Sequence, residues 1–425
     1  MIESYNFSCQ GESHKVDDKP CQDASFSAVY DNGLAMAIVC DGHGGERYFR
    51  SDVGSRMATE VIRDSVKTFV ENVDKSLFVG KPYTAVEAIT SEEVISKQTP
   101  VDINFRQLFS SIIYQWNQKI ADHAMNTTIS EWEQQHVDQK YLDELKNSET
   151  YEKLYGCTLM VYVQTPDYWF AFHLGDGKCI SFQQDPFWHE PIPWDERCFL
   201  NKTTSLCDSN AINEFRYCYQ GDGQFPMVVF LGSDGMDDSF GEDANLVNFY
   251  IQMVKMLVTE GKEATIKSIE SDLPQLSKIG SKDDMSVAFV YNLDELKSHI
   301  TDFIQYQINI VKDSIHQTDE RIQKLELKVN SITSVPDEKT RIDLDYARQD
   351  IEQANESRTK LLYKHDVLMQ LDEVIVEIQR EADDSQSKYN HEISVANRAY
   401  WQGLNTGTNA AVRKLEALRS MLDAY

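Results

Sequence analysis

The chain has 425 residues and a formal net charge of −28, and 41% of its residues are hydrophobic. This length predicts two domains, and the acidic balance argues against binding to nucleic acid or to anionic membranes. Eight scattered cysteines without a C-x-x-C pair, no signal-peptide pattern and no apolar run of membrane-spanning length predict a cytoplasmic protein with reduced thiols.

The N-terminal region is predicted to contain strands followed by a helix. Two candidate strands lie around residues 11–15 and 21–30, and a third covers the apolar run 34–40. The third strand ends abruptly in Asp41-Gly42-His43-Gly44-Gly45, where glycines let the backbone come close to whatever the carboxylate binds. Residues 46–72 carry apolar residues at helical spacing and predict a helix.

The middle of the chain is less regular. Residues 73–104 lack a clean period and contain Gly80, Pro82 and Pro100, so we expect a loop-rich insertion. Residues 183–224 are also irregular and are expected to form a loop or flap over a site. The other predicted elements are strands over 155–163, 168–174, 179–182, 225–231 and 285–292, and helices over 105–150 and 243–260. Strands and helices in this irregular order predict an α+β fold.

Acidic residues stand at the boundaries of four predicted strands. They are Asp41, Asp176, Asp234 and the pair Asp283-Asp284. If these strands share one edge of a sheet, their carboxylates converge, and mutual repulsion drives them toward protonation unless cations neutralise them. An all-oxygen set of ligands suits Mg²⁺ or Mn²⁺ rather than Zn²⁺.

The sequence pattern changes after Leu293. Apolar residues over 304–332 recur at alternating spacings of four and three, which predicts a coiled-coil helix. Pro336 interrupts this pattern and a second amphipathic helix follows, so we expect an antiparallel hairpin. A short amphipathic helix is predicted over 411–422. The seam over residues 300–380 either packs the hairpin on itself or binds a protein partner or a second copy of the chain.

Five motifs, in their order and approximate spacing, resemble those of the PPM/PP2C family of metal-dependent Ser/Thr protein phosphatases. They are Asp41-Gly42-His43-Gly44-Gly45, Tyr155-Gly156-Cys157-Thr158, Leu174-Gly175-Asp176-Gly177-Lys178, Ser233-Asp234-Gly235 and Lys282-Asp283-Asp284-Met285-Ser286-Val287. The resemblance covers residues 1–294 and implies a PP2C-like β-sandwich flanked by helices in α/β/β/α layers. It leaves residues 295–425 as a separate helical, coiled-coil hairpin region.

The resemblance also implies a centre that holds two or three Mg²⁺ or Mn²⁺ ions. The corresponding metal ligands are Asp23, Asp41, the Gly42 carbonyl, Asp234 and Asp283, with Asp176 and Asp238 at a third and weaker site. Asp41 is expected to bridge the first two ions. The implied reaction is direct attack of a metal-activated water on a phosphoserine or phosphothreonine ester of a phosphoprotein substrate.

Three positions depart from the family's pattern. Gln22 stands where many members have Glu, and Asp284 stands where Asn is usual. The Arg that usually binds the substrate phosphate is missing. The same region offers His14 or Lys15, each a point donor without the bidentate fork of Arg.

His43, two residues after the bridging ligand, is the predicted general acid that protonates the leaving alkoxide. A loop histidine that caps a backbone turn is the alternative interpretation. Two other functions stay open. One is a pseudophosphatase that binds a phosphoprotein without turnover, which the missing Arg and Gln22 favour and the intact aspartates oppose. The other is a scaffold that acts through the C-terminal coiled coil.

Overall fold

Two compact units make up the protein. They comprise Met1–Lys297 and Ser298–Tyr425. The computed structural model describes residues 1–88, 98–147, 150–184, 187–198, 202–331 and 338–391. Within the described part of the first unit, two β-sheets lie at the centre and helices cover them.

Every described pair of neighbouring strands is antiparallel. In spatial order, the first sheet consists of β1 (Ile2–Cys9), β11 (Met285–Asn292), β10 (Val228–Gly232), β7 (Lys178–Phe182) and β8 (Trp188–His189). The second sheet consists of β2 (Ala24–Val29), β3 (Ala35–Cys40), β5 (Leu159–Gln164), β6 (Trp169–Leu174), β9 (Arg216–Gln220) and β4 (Thr84–Val86).

Strand β3 illustrates how the sheets build the core, because all its residues are buried. Side chains alternate along a strand, so its two faces enter different apolar clusters. Ala35 and Val39 share a cluster with Val229 and Ala288 of the other sheet. Ile38, on the opposite face, belongs to the cluster that the helices supply. Burial on both faces explains why this strand is a continuous apolar run in the sequence.

The helices of the first unit are, in chain order, α1 (Glu12–Val16), α2 (Ser51–Asn72), α3 (Pro100–Asn126), α4 (Glu131–His136), α5 (Gln139–Asn147), α6 (Asp234–Phe240), α7 (Asp243–Thr259), α8 (Lys262–Ile279) and α9 (Leu293–Ser298). Helices α2 and α3 pack on each other and share one apolar cluster with the second sheet. Helices α7 and α8 pair on the other side, where Phe230 stacks on Tyr250 with 4.3 Å between ring centroids. The predicted α/β/β/α sandwich is therefore confirmed.

Two predicted elements of the first unit differ in type. Residues 11–15 were expected to be a strand, but the chain forms the short helix α1 there. Residues 183–224 were expected to be irregular, yet they contain the fully buried strand β9. The polar ends of β9 conceal it in the sequence. Arg216, at one of these ends, is nevertheless buried. Its guanidinium donates to the Pro193 carbonyl at 3.0 Å and contacts Nδ1 of His173 at 3.1 Å, and these contacts offset the cost of burying the charge.

Two helices also differ from their expected extent. Pro100 suggested a loop, but it lies in the first turn of α3, where a missing N–H costs nothing. Thr99 caps that turn together with Asp102 in a reciprocal capping box. The predicted helix over 105–150 is divided into α3, α4 and α5. Helix α8, which contains Pro274, was not predicted.

The second unit contains two long helices, α10 (Ile300–Asn330) and α11 (Glu338–His391), which pack along each other. The predicted seam positions that are described are buried or half-buried in both helices, whereas most positions between them are exposed. Asp319 and Arg358 form an ion pair between the two helices. The helix predicted over 411–422 lies outside the described residues. None of the helices described in either unit is both long and apolar enough to cross a membrane.

Phe105 provides a test of the aromatic core. Its ring centroid lies 5.7 Å from that of Phe69, 5.4 Å from that of Phe170 and 4.6 Å from that of Tyr217. We expect Phe105→Ala to lower the free energy of unfolding by about 3–5 kcal/mol, measured by urea denaturation, because the cavity cannot close fully.

Tyr114→Ala, on the same helix, is the matched control because Tyr114 is 66% exposed. It should change stability by no more than about 0.5 kcal/mol. Equal effects of the two substitutions would contradict the packing described for α3.

Candidate active site

Strand ends of both sheets bring the predicted acidic residues together. Asp23 and Asp41 flank the paired ends of β2 and β3, where Ala24 lies opposite Cys40. Asp234 opens α6 directly after β10, and Asp283 precedes the neighbouring strand β11. The sequence places these residues at strand boundaries, and the antiparallel register of each pair places them at the same end.

Asp23 joins the two sheets at this end. Ser233 and Ser286, which belong to the other sheet and its following turn, interact with its carboxylate and lower its pKa. Its Oδ2 atom is buried and has no hydrogen-bond partner among the described residues. Burial, together with the charges of Asp284 and Asp234, raises the pKa of Asp23 well above its usual range.

Asp41 and Asp234 lie within hydrogen-bond contact of each other. Burial, and then the charges of Asp23 and Asp234, raises the pKa of Asp41 well above its usual range. Burial raises the pKa of Asp234 to about 6, although the hydrogen bond with Asp41 lowers it. Asp23 is buried and Asp41 and Asp234 are half-buried, so added positive charge would favour ionisation of all three carboxyl groups.

The donor atoms fit hard divalent cations. They are carboxylate oxygens, and the buried Oε1 of Gln22 adds a second acceptor without a partner among the described residues. Such a set suits Mg²⁺ or Mn²⁺. At Gly42, a Cβ atom would lie 2.5 Å from the Gln22 carbonyl oxygen and 2.9 Å from the Ser51 carbonyl oxygen. The close backbone approach at this position therefore requires glycine.

The two residues predicted for a third ion also lie near this cluster. Burial raises the pKa of Asp176, and the charge of Asp238 adds to this, while a hydrogen bond with Thr203 opposes it. Burial, and then the charges of Asp237 and Asp283, raises the pKa of the more exposed Asp238. These interactions connect both residues electrostatically to the main carboxylate cluster.

Asp284 anchors His14, an arrangement that sequence reasoning missed. The backbone N–H groups of Gly11 and Gln22 donate to Asp284 Oδ1 and Oδ2 at 2.6 and 2.5 Å. His14 Nδ1 lies 3.0 Å from Asp284 Oδ1, and its Nε2 lies 3.8 Å from Asp283 Oδ1. Burial opposes the charge of Asp284, but His14 and the two amides outweigh it and lower its pKa. The feature of the sequence that could have indicated this contact is Asp284 itself, an acid at the position where the family usually has Asn.

The two predicted phosphate donors occupy different environments. His14 is buried against the acidic pair, and its ring could join Asp283 and Asp284 around a cation. Lys15 is exposed and lies 3.8 Å from the Glu12 carboxylate, one turn earlier in α1. The structure thus brings His14 to the carboxylate cluster and leaves Lys15 at the surface.

His43 follows Asp41 by two residues in the chain, so its backbone belongs to the same loop. Its ring contacts other residues, Ser205 and Tyr48. Its Nε2 is 2.7 Å from the Ser205 hydroxyl, and its ring packs edge-on against Tyr48 with 4.8 Å between centroids. Burial lowers the pKa of His43 to about 4. Gln22 Nε2 and the Ser51 hydroxyl donate to the His43 carbonyl at 3.2 and 2.9 Å. Gln22 therefore holds the glycine-rich loop in place, a role its sequence position did not suggest.

The chain was compared with family models, solved structures and curated proteins. A family model described as Protein phosphatase 2C matches residues 10–269. Among solved structures, the Ser/Thr phosphatase Stp1 from Staphylococcus aureus is 15% identical, with 69% of this chain and 95% of that chain covered and a TM-score of 0.39. The catalytic domain of the Ser/Thr phosphatase PstP, in complex with two manganese ions, is 12% identical, with coverage of 68% and 97% and a TM-score of 0.39.

RsbX, in complex with magnesium, is 12% identical, with coverage of 68% and 94% and a TM-score of 0.35. No curated protein shows significant similarity to the chain. The family model ends before Asp283 and Asp284, but it covers the glycine-rich loop and more than half of the chain. The chain therefore belongs to the protein phosphatase 2C family of Ser/Thr phosphatases, whose substrates are phosphoproteins.

Proposed function

We propose that the first unit hydrolyses phosphoserine or phosphothreonine esters of proteins in a reaction that depends on Mg²⁺ or Mn²⁺. The observation that carries this proposal is the convergence of buried Asp23 with half-buried Asp41 and Asp234 at one end of the sandwich, where burial raises the pKa of each. A protein keeps such a cluster at a cost in stability unless cations compensate it. An all-oxygen donor set selects hard divalent ions.

The residues of the cluster share the binding of the ions in this proposal. Asp23, Asp41, the Gly42 carbonyl, Asp234 and Asp283 would hold two ions, and the Oδ2 atom of Asp23, which has no hydrogen-bond partner among the described residues, is free for this task. Asp176 and Asp238 are proposed ligands of a third, weaker ion. When bound, the ions supply Lewis acidity toward the phosphate and lower the pKa of a water molecule that attacks phosphorus.

The substrate phosphate needs a cationic donor because the family's usual Arg is missing. Of the two candidates, His14 is better placed, since its ring lies 3.0 Å from Asp284 Oδ1 and 3.8 Å from Asp283 Oδ1. An imidazolium donates one directed hydrogen bond to a phosphate oxygen, where Arg would donate two. Lys15 remains the second candidate, because its long side chain is unconstrained by the core.

The general-acid role of His43 remains a prediction. In the described conformation its Nε2 contacts the Ser205 hydroxyl. Protonation of the leaving alkoxide requires the ring to exchange that partner for the leaving-group oxygen. The alternative is a structural role, in which His43 packs on Tyr48 and supports the loop.

A pseudophosphatase is the second candidate function. The missing Arg favours it, because weak phosphate capture would slow turnover without preventing binding of a phosphoprotein. The complete set of aspartates opposes it. Manganese-dependent release of p-nitrophenol from p-nitrophenyl phosphate separates the two, since only the enzyme turns over.

Metal dependence is tested first. The protein should hydrolyse p-nitrophenyl phosphate with Mn²⁺ and lose this activity with EDTA. Asp41→Asn and Asp234→Asn should each reduce the rate by ~10³-fold or more, because several kcal/mol of charge stabilisation disappear. Both variants should also bind Mn²⁺ more weakly in calorimetry.

Asp272→Asn serves as the control, because this aspartate is exposed on α8 and contacts only neighbouring serines in the described region. It should retain both activity and Mn²⁺ affinity. Activity that survives chelation would eliminate the metal-dependent mechanism.

The role of His43 can be tested by comparing substrates whose leaving groups differ in their need for a proton. If His43 donates a proton, His43→Ala should slow phosphothreonine peptides by ~10²-fold or more, since their alkoxide leaves poorly. p-Nitrophenyl phosphate needs no proton on its leaving group and should slow far less. Equal losses on both substrates would assign His43 a structural role instead.

The two compact units suggest that the chemistry resides in the first. A chain ending at Lys297 retains the buried Leu296 of α9 and should keep metal-dependent turnover of p-nitrophenyl phosphate within about threefold of the full chain. We also propose that α10 and α11 bind a protein partner or a second copy, so the shortened chain should differ in mass by light scattering or in turnover of its native phosphoprotein. Loss of aryl phosphate turnover would show that the hairpin belongs to the catalytic core.

A further inference from the structure

A groove of about 460 Å³ opens beside the carboxylate cluster. Gln22, which precedes Asp23, and Gly44, which follows Asp41 by three residues, both line it. The rest of its lining comes from residues 16–20, from the segment 45–49, and from helix α4 with the residue that follows it. Its volume lies in the range of sites that enclose a small ligand or a large side chain. The groove is therefore lined in part by residues that lie close in the chain to two of the proposed metal ligands.

The rim of the groove is acidic. Asp17, Asp18 and Glu46 are exposed carboxylates in its lining, and Lys19 is the lysine that faces them. Asp18 adopts a left-handed backbone conformation with φ of +55°, which few non-glycine residues do. The excess of negative charge at the rim favours a positively charged occupant.

One wall of the groove is a pair of stacked rings. Trp132 and His136 lie with 4.9 Å between ring centroids and an interplanar angle of 18°. Phe49 and Val137 add apolar surface. A flat aromatic surface beside carboxylates suits a guanidinium group, which stacks on rings and pairs with acids at its edge.

Helix α4 holds this wall rigidly. Arg50, at the start of α2, donates to Glu133 through Nε at 2.6 Å and Nη2 at 3.3 Å. Ser130 caps α4 in a reciprocal capping box with Glu133. Both partners of the ion pair are buried. The neighbouring Trp132 is therefore positioned before any ligand binds, which reduces the entropic cost of binding.

We propose that this groove binds an arginine side chain of the phosphoprotein substrate, close in sequence to the phosphorylated residue. The inference rests on the proposed phosphatase function and deepens it by naming the substrate class. The phosphate is directed to the carboxylate-bound ions, and the guanidinium stacks on Trp132 between Asp17, Asp18 and Glu46. The strongly acidic charge of the whole chain also attracts basic segments over long range.

The test compares matched phosphothreonine peptides that carry either arginine or its neutral isostere citrulline beside the phosphothreonine, on each side in turn. We expect kcat/KM to be ~10-fold higher for an arginine peptide. The triple variant Asp17→Asn/Asp18→Asn/Glu46→Gln should reduce this ratio to about 2 or less and leave turnover of p-nitrophenyl phosphate unchanged. Trp132→Ala should reduce the ratio as well, and Trp132→Phe should largely retain it.

A matched control separates the groove from the overall charge. Glu263→Gln/Glu270→Gln/Asp272→Asn removes three exposed carboxylates from α8 and should leave the arginine preference intact. Loss of the preference in this control, or equal rates for arginine and citrulline peptides with the unmodified protein, would overturn the proposal. If Trp132→Ala does not fold, the triple variant Asp17→Asn/Asp18→Asn/Glu46→Gln tests the proposal without it. If the proposed phosphatase function itself is wrong, the unmodified protein will hydrolyse neither the peptides nor p-nitrophenyl phosphate. If only the arginine groove is wrong, p-nitrophenyl phosphate will still be hydrolysed.

Discussion

Convergence of carboxylates at one end of the sandwich is the constraint around which the first unit is arranged. Asp23, Asp41 and Asp234 converge because two pairs of antiparallel strands end at the same side of the sandwich. Burial and neighbouring carboxylates raise the pKa values of Asp23 and Asp41, so a cation nearby would stabilise the ionised form of the cluster. A fold that keeps such a cluster must hold it rigidly, because relaxation would otherwise let the charges move apart.

The surrounding polar contacts provide this rigidity. Ser233 and Ser286 attach Asp23 to the opposite sheet, and Gln22 attaches the glycine-rich loop to the start of α2. Asp284 is held by two backbone amides, and His14 Nδ1 lies 3.0 Å from its carboxylate.

The segment between α3 and β5 adds a feature that the sandwich alone does not require. Helix α4 is bound to the core through the buried pair of Arg50 and Glu133, and its Trp132 lines the same groove as Gln22 and Gly44. The carboxylates and this surface therefore come from different parts of the unit. The sheets position the carboxylates, and helix α4 contributes to the groove.

The sequence by itself determined the family, the sandwich class and the strand-end position of each aspartate, because alternating or continuous apolar runs and flanking glycines are local signals. It also located both long C-terminal helices through their seam. Tertiary structure alone decided the rest. Strand β9 is hidden by its polar ends, Pro100 begins a helix instead of breaking one, and α1 replaces a strand. The ring of His43 contacts Ser205, and His14 rather than Lys15 reaches the acidic pair. These outcomes depend on contacts between residues far apart in the chain, which no local pattern records.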